Sequence, residues 1–496
     1  MGQAAHDVPK RRALAALLGV AGVVALVVLV IVPISSASKG SLIPKSPVSA
    51  STLVAQGIHN GTITPAIGTG ASASGPTSLT VLPNVKANSG SQPANEVPIT
   101  GDPLNGSNLL SGANDYSCST VQGFYSSTNA GASWSTHCMP AQSGLFGFGD
   151  PNVAFDKSGN EYILGIDANG SALNGRIVYQ KSSDNGVTWT PDPPATAVPA
   201  LFAGGLTDKE WTEADHGTAS PHPGALYVSV TQFNSSFNQT AISVAHSYDG
   251  AATWTDVQVG PTRTVPTVDQ FSDLAVGNDG TVYLTYMECF SSGPAGDCGG
   301  SPANMYFSKS TDGGVTWTSP SIMVAGVNLA PDSCFCAYYG NIPGTSERLS
   351  NIPVIDVAST GTLYVVYYDY VGGFVQLRVI NSTNGGTTWS APQAILPSSS
   401  DQAFGWLSVK GKVIGVTYLD NASGTTYNTF ALISKDGVTW KGPSTLNTVA
   451  SNFNNDGFGG GFIGDYIGNI WTTALHASWP DTRTGVSADE TGGLGP

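Results

Sequence analysis

The chain has 496 residues, a net charge of −15 and only 11% charged residues. The acidic balance argues against nucleic acid and anionic membrane surfaces as partners. With 61 glycines and Ser and Thr throughout, it has the composition of a turn-rich all-β protein long enough for one large core, and its sparse charge suits an exposed, acid-tolerant protein.

The N-terminus reads as a membrane anchor. Residues 1–12 end in Lys10-Arg11-Arg12, which places them in the cytoplasm and the rest of the chain outside. The uncharged apolar run that follows, 13–34, spans about 30 Å as a helix, one bilayer core. A cleaved signal peptide with a site near Ser36-Ala37-Ser38 is the rival, but the run exceeds the roughly 7–15 apolar residues usual for one. Residues 35–77 contain no Asp or Glu and are rich in Ser, Thr, Gly and Pro, as in a flexible stalk. Six cysteines fit an oxidising exterior. Local pairing is expected for Cys118 with Cys138 and for Cys289 with Cys298, while Cys334 and Cys336 stand in a Cys-Phe-Cys string.

From Glu96 a repeating grammar begins. Six copies of Ser-x-Asp/Asn-x-Gly-x-Thr-Trp or a looser form end at Trp134, Trp189, Trp254, Trp317, Trp389 and Trp440. The acidic or amide residue of the later copies is Asp184, Asp249, Asp312, Asn384 and Asp436. Such a side chain accepts bonds from loop N–H groups, Gly supplies a positive φ, and Trp fills the wedge between neighbouring units. A period of this size implies stacked equal units, most naturally propeller blades. The phrase resembles the Asp box of the sialidase-like (BNR-repeat) propellers. The resemblance covers most of the chain and implies the fold; in that family the boxes lie on the face away from the active site and occur in many proteins that are not sialidases.

Inner hairpins with alternating apolar residues and Gly turns start near Glu96, Pro151, Trp211, Asp273, Pro353, Trp406 and Tyr466. Seven hairpins against six boxes favour seven blades over six. The last blade is expected to close with an N-terminal strand over Ser78 to Val85. The propeller should therefore occupy 78–485, with 486–496 as a flexible tail.

Candidate function gathers where loops lead into the inner strands, on the face opposite the boxes. Acids mark the exits of six second strands, at Asp115, Asp167, Glu288, Asp369, Asp420 and Asp481, with Gln232 in the remaining unit. They either cap their own loops or form a carboxylate ring suited to sugar hydroxyls or a structural calcium ion. Nearer the axis stand Asp150, Lys209, Glu210, Trp211 and Trp406. With Asp481 they are the candidate ligand-binding residues, since rings stack on sugar faces while charged groups bond hydroxyls. Blade-to-blade locking is the competing role. His216 and His222 lack the tight spacing of metal ligands, and no cofactor motif occurs.

The sialidase resemblance implies an arginine triad for the substrate carboxylate, a Tyr–Glu nucleophile pair and an acid/base Asp. Tyr466 matches the nucleophile's place at the last inner hairpin, beside Asp465, and Arg348 and Arg483 are the arginines available to that face. The Arg-Ile-Pro string that supplies the first triad member is absent; Asn351-Ile352-Pro353 is the nearest. The sequence therefore supports an extracellular propeller that binds a glycan or glycoprotein at a top-face funnel. A sialidase-type hydrolase and an adhesive surface protein without a small-ligand site are the alternatives.

Overall fold

A computed structural model describes residues 80–171, 173–290, 298–332, 339–396 and 398–495. The expected anchor and stalk, and Cys334 and Cys336, lie outside the described residues. The chain divides into two units, 1–36 and 37–496, and the second carries the fold described below. No helix among the described residues is long and apolar enough to cross a membrane.

Seven antiparallel sheets form a seven-bladed propeller. Blade III shows the plan: inner strand Leu206–Ala214, then Leu226–Phe233, Gln239–Ser247 and outer strand Thr255–Thr264, in sequence order. The inner strands of blades II, IV and VI are Phe146–Phe155, Thr267–Val276 and Asp401–Lys410. Blade I enters through Ala94–Asn95 and Ile99–Gly101, blade V through Val354–Val357 and blade VII through Gly468–Trp471. Each inner hairpin expected from sequence is present.

Blade VII closes the ring. Its strands Gly468–Trp471, Leu475–Asp481 and Ala488–Gly495 accept the N-terminal strand Thr80–Lys86 at the outer edge. Thr80 pairs with Gly495 and Lys86 with Glu490. The end of the chain is therefore not the flexible tail expected over 486–496. Ala488–Gly495 is a buried strand with a partner on each side, and that pairing orders a segment lacking any apolar alternation.

The six repeat loops sit between third and fourth strands and use one bonding scheme. In the second copy Ser182 Oγ accepts from Gly186 N at 3.0 Å and donates to Asp184 at 2.8 Å. Asp184 also accepts from Thr188 N at 2.8 Å and Thr188 Oγ1 at 2.6 Å, and Trp189 Nε1 donates to Gly186 O at 3.1 Å. Asp312 and Trp317 repeat the scheme, and Asp249, Asn384 and Asp436 repeat its carboxylate or amide part. These bonds hold Asp184, Asp312 and Asp436 down to about 2. Trp189 is buried among Leu110, Phe124 and Val153, while Trp317 and Trp389 are half-buried against the core. Disulfides join Cys118 to Cys138 and Cys289 to Cys298, the local pairing expected.

Closure by Thr80–Lys86 predicts a sharp boundary for truncation. A chain beginning at Ser78 keeps the closing strand and should be monodisperse. One beginning at Ala87 bares the edge of Ala488–Gly495 and should associate and melt earlier, read by light scattering and calorimetry.

Candidate functional site

Five inner strands carry the same irregularity. Glu96, Asp150, Lys209, Phe271 and Phe404 have φ between 51° and 62°. In blades II, III, IV and VI the register slips at that point, as between Asp208 and Trp211 or Ala403 and Trp406. These are β-bulges, which re-aim side chains at a cost of about 1–2 kcal/mol per non-glycine residue at positive φ. Four bulges, with Glu96 at the same φ between the two short strands of blade I, re-aim charged and aromatic groups.

The upper axis is a sealed cluster. Lys209 is 1% exposed, with its Nζ 4.4 Å from the centroid of Tyr466 and 4.7 Å from that of Trp211. Glu96 accepts from Asp465 N at 3.0 Å and from Asn114 Nδ2 at 2.8 Å. Asp208 accepts from Gln270 Nε2 at 2.8 Å, and Arg348 pairs with Asp465 at 2.9 Å. Burial, then Glu96, Asp208 and Glu210, push the Asp150 carboxyl up; burial also raises Glu210 and lowers Lys209. Lys209 is the cation around which these acids gather.

Two loops roof this cluster. Asp456 accepts from the backbone N–H groups of Phe458, Gly460, Gly461 and Phe462, which coils the segment before blade VII into a plug. Glu347 accepts from Ile463 N at 3.0 Å, and Ser350 Oγ donates to Asp465 O, tying the segment before blade V to it. The funnel expected on this face is therefore closed. Tyr466 is 2% exposed, its hydroxyl donates to Pro151 O at 2.9 Å, and burial with Glu96 and Asp150 raises its pKa far above a phenol's ordinary value. That is the opposite of an activated nucleophile.

The five described arginines do not converge. Arg348 is held by Asp465 and Arg483 by Asp481 and Glu490. Arg263 pairs with Asp269 and Glu288, Arg378 with Asp369, and Arg176 reaches Gln142. The exit acids also serve locally: Asp115 accepts from Ser117 N and Tyr125, Asp167 from Gln142 N and Gln122, and Asp420 from Ser400. No group of three His, Cys, Asp or Glu is placed to hold a metal among the described residues.

The open space lies at the other end of the axis. A cavity of about 460 Å³ is lined by the lower halves of the inner strands, and its rim includes exposed Pro103, Lys410 and Thr473. Its depth is set by Trp211 and Trp406, with centroids 4.4 Å apart and Tyr466 packed behind both. Trp471 and Asn469 stand in the wall. Three carboxylates from adjacent blades face this region: Glu213, Asp273 and Asp356. Glu213 and Asp356 occupy equivalent register positions, opposite Tyr227 and Tyr364. Asp273 accepts from Ile355 N at 2.7 Å and Asp356 from Val357 N and Val409 N, so these two also stitch blade to blade. Burial raises all three, Asp273 and Asp356 to about 7, and the Asp356 and Asp273 charges push Glu213 further.

Of the sequence candidates, Trp211 and Trp406 reach the cavity, while Asp150, Lys209, Glu210, Asp465, Tyr466 and Arg348 lie in the sealed cluster. Arg483 and Asp481 sit together at the edge of blade VII. Glu213, Asp273, Asp356 and Trp471 were missed as site residues. The one signal for Glu213 is its place two residues after Trp211, on the same side of a strand.

No known protein family and no curated protein matches the chain. Among solved structures it is similar to a protein of unknown function from Dyadobacter fermentans, with 12% identity over 84% of this chain and 99% of that one and a TM-score of 0.45. It is also similar to the NanB sialidase of Streptococcus pneumoniae (12% identity, 66% and 65% covered, TM-score 0.41). Polysaccharide lyase Uly1 is a further neighbour (11% identity, 80% and 89% covered, TM-score 0.48).

Two outcomes follow from the axial charges. Replacing Lys209 with Met leaves buried acids without their cation and should cost about 3–5 kcal/mol in denaturant unfolding; an unchanged midpoint would show the acids neutral without it. Buried carboxylates raised to about 7, among them Glu161, Asp167, Asp273, Asp356 and Asp489, hold protons that the unfolded chain releases above about pH 4. Stability should then fall as pH rises through the window from about 4 to 7. Buried histidines such as His476, lowered to about 4, act in the opposite sense but are fewer. Below about pH 4 the box carboxylates lose their advantage as they protonate. Calorimetry should place the highest melting temperature near pH 4–5; a maximum at pH 7–8 would contradict the assignment.

Proposed function

We propose that this chain is a sialidase-like Asp-box propeller that binds a neutral glycan in the lower axial cavity, without sialidase chemistry. The carrying observation is the cavity itself: about 460 Å³, within the usual range for a small-molecule site, with indoles deep inside and carboxylates around them. Trp211 and Trp406 offer faces for a sugar ring, while Glu213, Asp356 and Asn469 offer hydroxyl partners. The net charge of −15 disfavours sialic acid and uronates. The binding face is thus the one opposite to that expected from sequence.

A second reading has one observation in its favour. Glu213 is a carboxyl group held protonated beside other acids, the condition of a general acid in glycoside hydrolysis. We further propose that residues 13–34 anchor the chain and hold the propeller outside the cell, as the apolar run and the two disulfides favour.

A glycan array with the full chain in detergent should show neutral glycans bound and sialylated ones not. Trp211→Ala and Glu213→Gln should each weaken binding at least roughly fivefold, given hydrogen bonds and stacking worth about 1 kcal/mol or more, while Arg483→Ala leaves it unchanged. Binding confined to sialosides, or indifferent to Trp211 and Glu213, would refute the assignment. Release of nitrophenol from neutral nitrophenyl glycosides, abolished by Glu213→Gln, would favour the hydrolase. Alkaline carbonate extraction tests the anchor: release of the full chain from membranes would overturn it.

A further inference from the structure

The axial cavity is blind: it has one mouth, and its wall is closed at each interface between blades. All seven blades contribute to that wall. Asn152 Oδ1 accepts from Thr212 N at 3.0 Å, joining blade II to III, and Asn469 Nδ2 donates to Trp406 O at 2.8 Å, joining VII to VI. The Ser272 and Ser229 hydroxyls bond at 3.0 Å across III and IV, and the Asp273–Ile355 and Asp356–Val409 bonds join IV to V and V to VI. The remaining two interfaces are closed by contact. An added Cβ on Gly159 of blade II would meet Asp102 of blade I at 3.2 Å, and one on Gly468 of blade VII would strike Ile99 N of blade I at 2.7 Å.

The inner end is shut as well. Trp211 and Trp406 form the floor with Tyr466 behind them, and beyond lie Glu96, Asp150, Lys209 and Asp465, each at most 1% exposed. A void on the far side of Trp406, against Tyr368 and Asp465, measures about 10 Å³, which holds one water and passes nothing larger. The opposite end is open, with Pro103, His216, Lys410 and Thr473 exposed on its rim. That rim is pinned from blade to blade. His216 Nε2 donates to Phe155 O at 2.8 Å, and Lys410 Nζ donates to Thr472 O.

Volume and connectivity then limit the occupant. A cavity of about 150 Å³ takes one benzene, and a hexose has twice benzene's heavy atoms, so it needs about 300 Å³ on that scale. A space of about 460 Å³ admits one sugar ring and part of the next. A ring inside a glycan chain carries a glycosidic bond on each side and needs two ways out. A terminal ring carries one. A cavity with a single mouth fits the terminal ring and excludes the internal one.

We infer that the axial cavity reads chain ends: it takes the terminal residue of a neutral glycan end-on and rejects internal segments. This rests on the glycan reading and adds the class of ligand to it. The terminal ring stacks on Trp211 and Trp406 at the floor. Glu213, half-buried and two residues nearer the mouth than Trp211, meets its hydroxyls. The glycosidic bond points toward the mouth, and the rest of the chain leaves past His216 and Thr473 into water. Sugar units beyond the second therefore add nothing to affinity.

Titration calorimetry on the full chain in detergent tests this with linear oligosaccharides of glucose, galactose, mannose, xylose and arabinose, two and six units long, and with the matching polymers. For each sugar that binds, the two lengths should bind one per protein with equal affinity. Limited acid hydrolysis of the polymer at constant mass multiplies its ends, and the protein bound at saturation should rise in the same proportion. Cyclic oligosaccharides of that sugar, which have no end, should not bind. Thr473→Trp narrows the exposed mouth and should lower affinity for the two-unit form and the polymer by the same factor. Capacity that follows the mass of polymer rather than its number of ends would overturn the inference and leave the glycan reading standing, as would binding of a cyclic form. Affinity untouched by Thr473→Trp would place the bound end outside the cavity and overturn it too. Absence of binding by every sugar and polymer would overturn both.

Discussion

Seven flat wedges must close into a ring, and every other feature of this protein answers to that requirement. A twisted four-stranded sheet has two edges and two faces, and a radial array buries both faces only if each gap is filled. The repeat loops do this with a tryptophan and a glycine. The glycine lets the loop approach the blade before, as Gly386 approaches Phe307, and the tryptophan fills the wedge, as Trp189 does against Phe124 and Val153. Thr80–Lys86 joins the last blade to the first: it pairs with Ala488–Gly495 in blade VII, and the chain runs on from it into Ala94–Asn95 of blade I.

The same closure creates the axis, and the axis explains the charges. Seven inner strands meet with no further strand to cover them, so bulged residues project inward. On the roofed side these are acids and Lys209, shut from water beneath the Asp456 and Glu347 loops. Such a cluster contributes orientation more than stability, because desolvation offsets much of the attraction. On the other side Trp211 and Trp406 end the packing and leave a cavity. Position relative to the two tryptophans thus decides whether an axial acid is sealed in the roofed cluster or lines the cavity.

Much of the fold was legible from residues. Turn glycines, alternating strands and the tryptophan period located all seven inner hairpins, and the mismatch between hairpins and boxes pointed to N-terminal closure. The strand Ala488–Gly495 was not legible, because Ala-Asp-Glu-Thr-Gly-Gly-Leu-Gly carries no alternation and owes its form to partners on both sides. The site was half legible. Trp211 and Trp406 were identified near the axis, but the burial of Lys209, Arg348 and Tyr466 was not foreseen. Nothing local in 339–350 or 453–465 announces a roof; it arises from bonds between segments more than a hundred residues apart, such as Glu347 to Ile463. Arg348 and Tyr466 looked accessible for the same reason.

The central claim is that the ligand surface of this propeller is the lower axial cavity. Crystals of the propeller soaked with a neutral disaccharide that the chain binds would test it most directly. Density for the sugar is expected against Trp211 and Trp406 with a hydroxyl near Glu213. Density instead over the Asp456 roof, with the axial cavity empty, would contradict it.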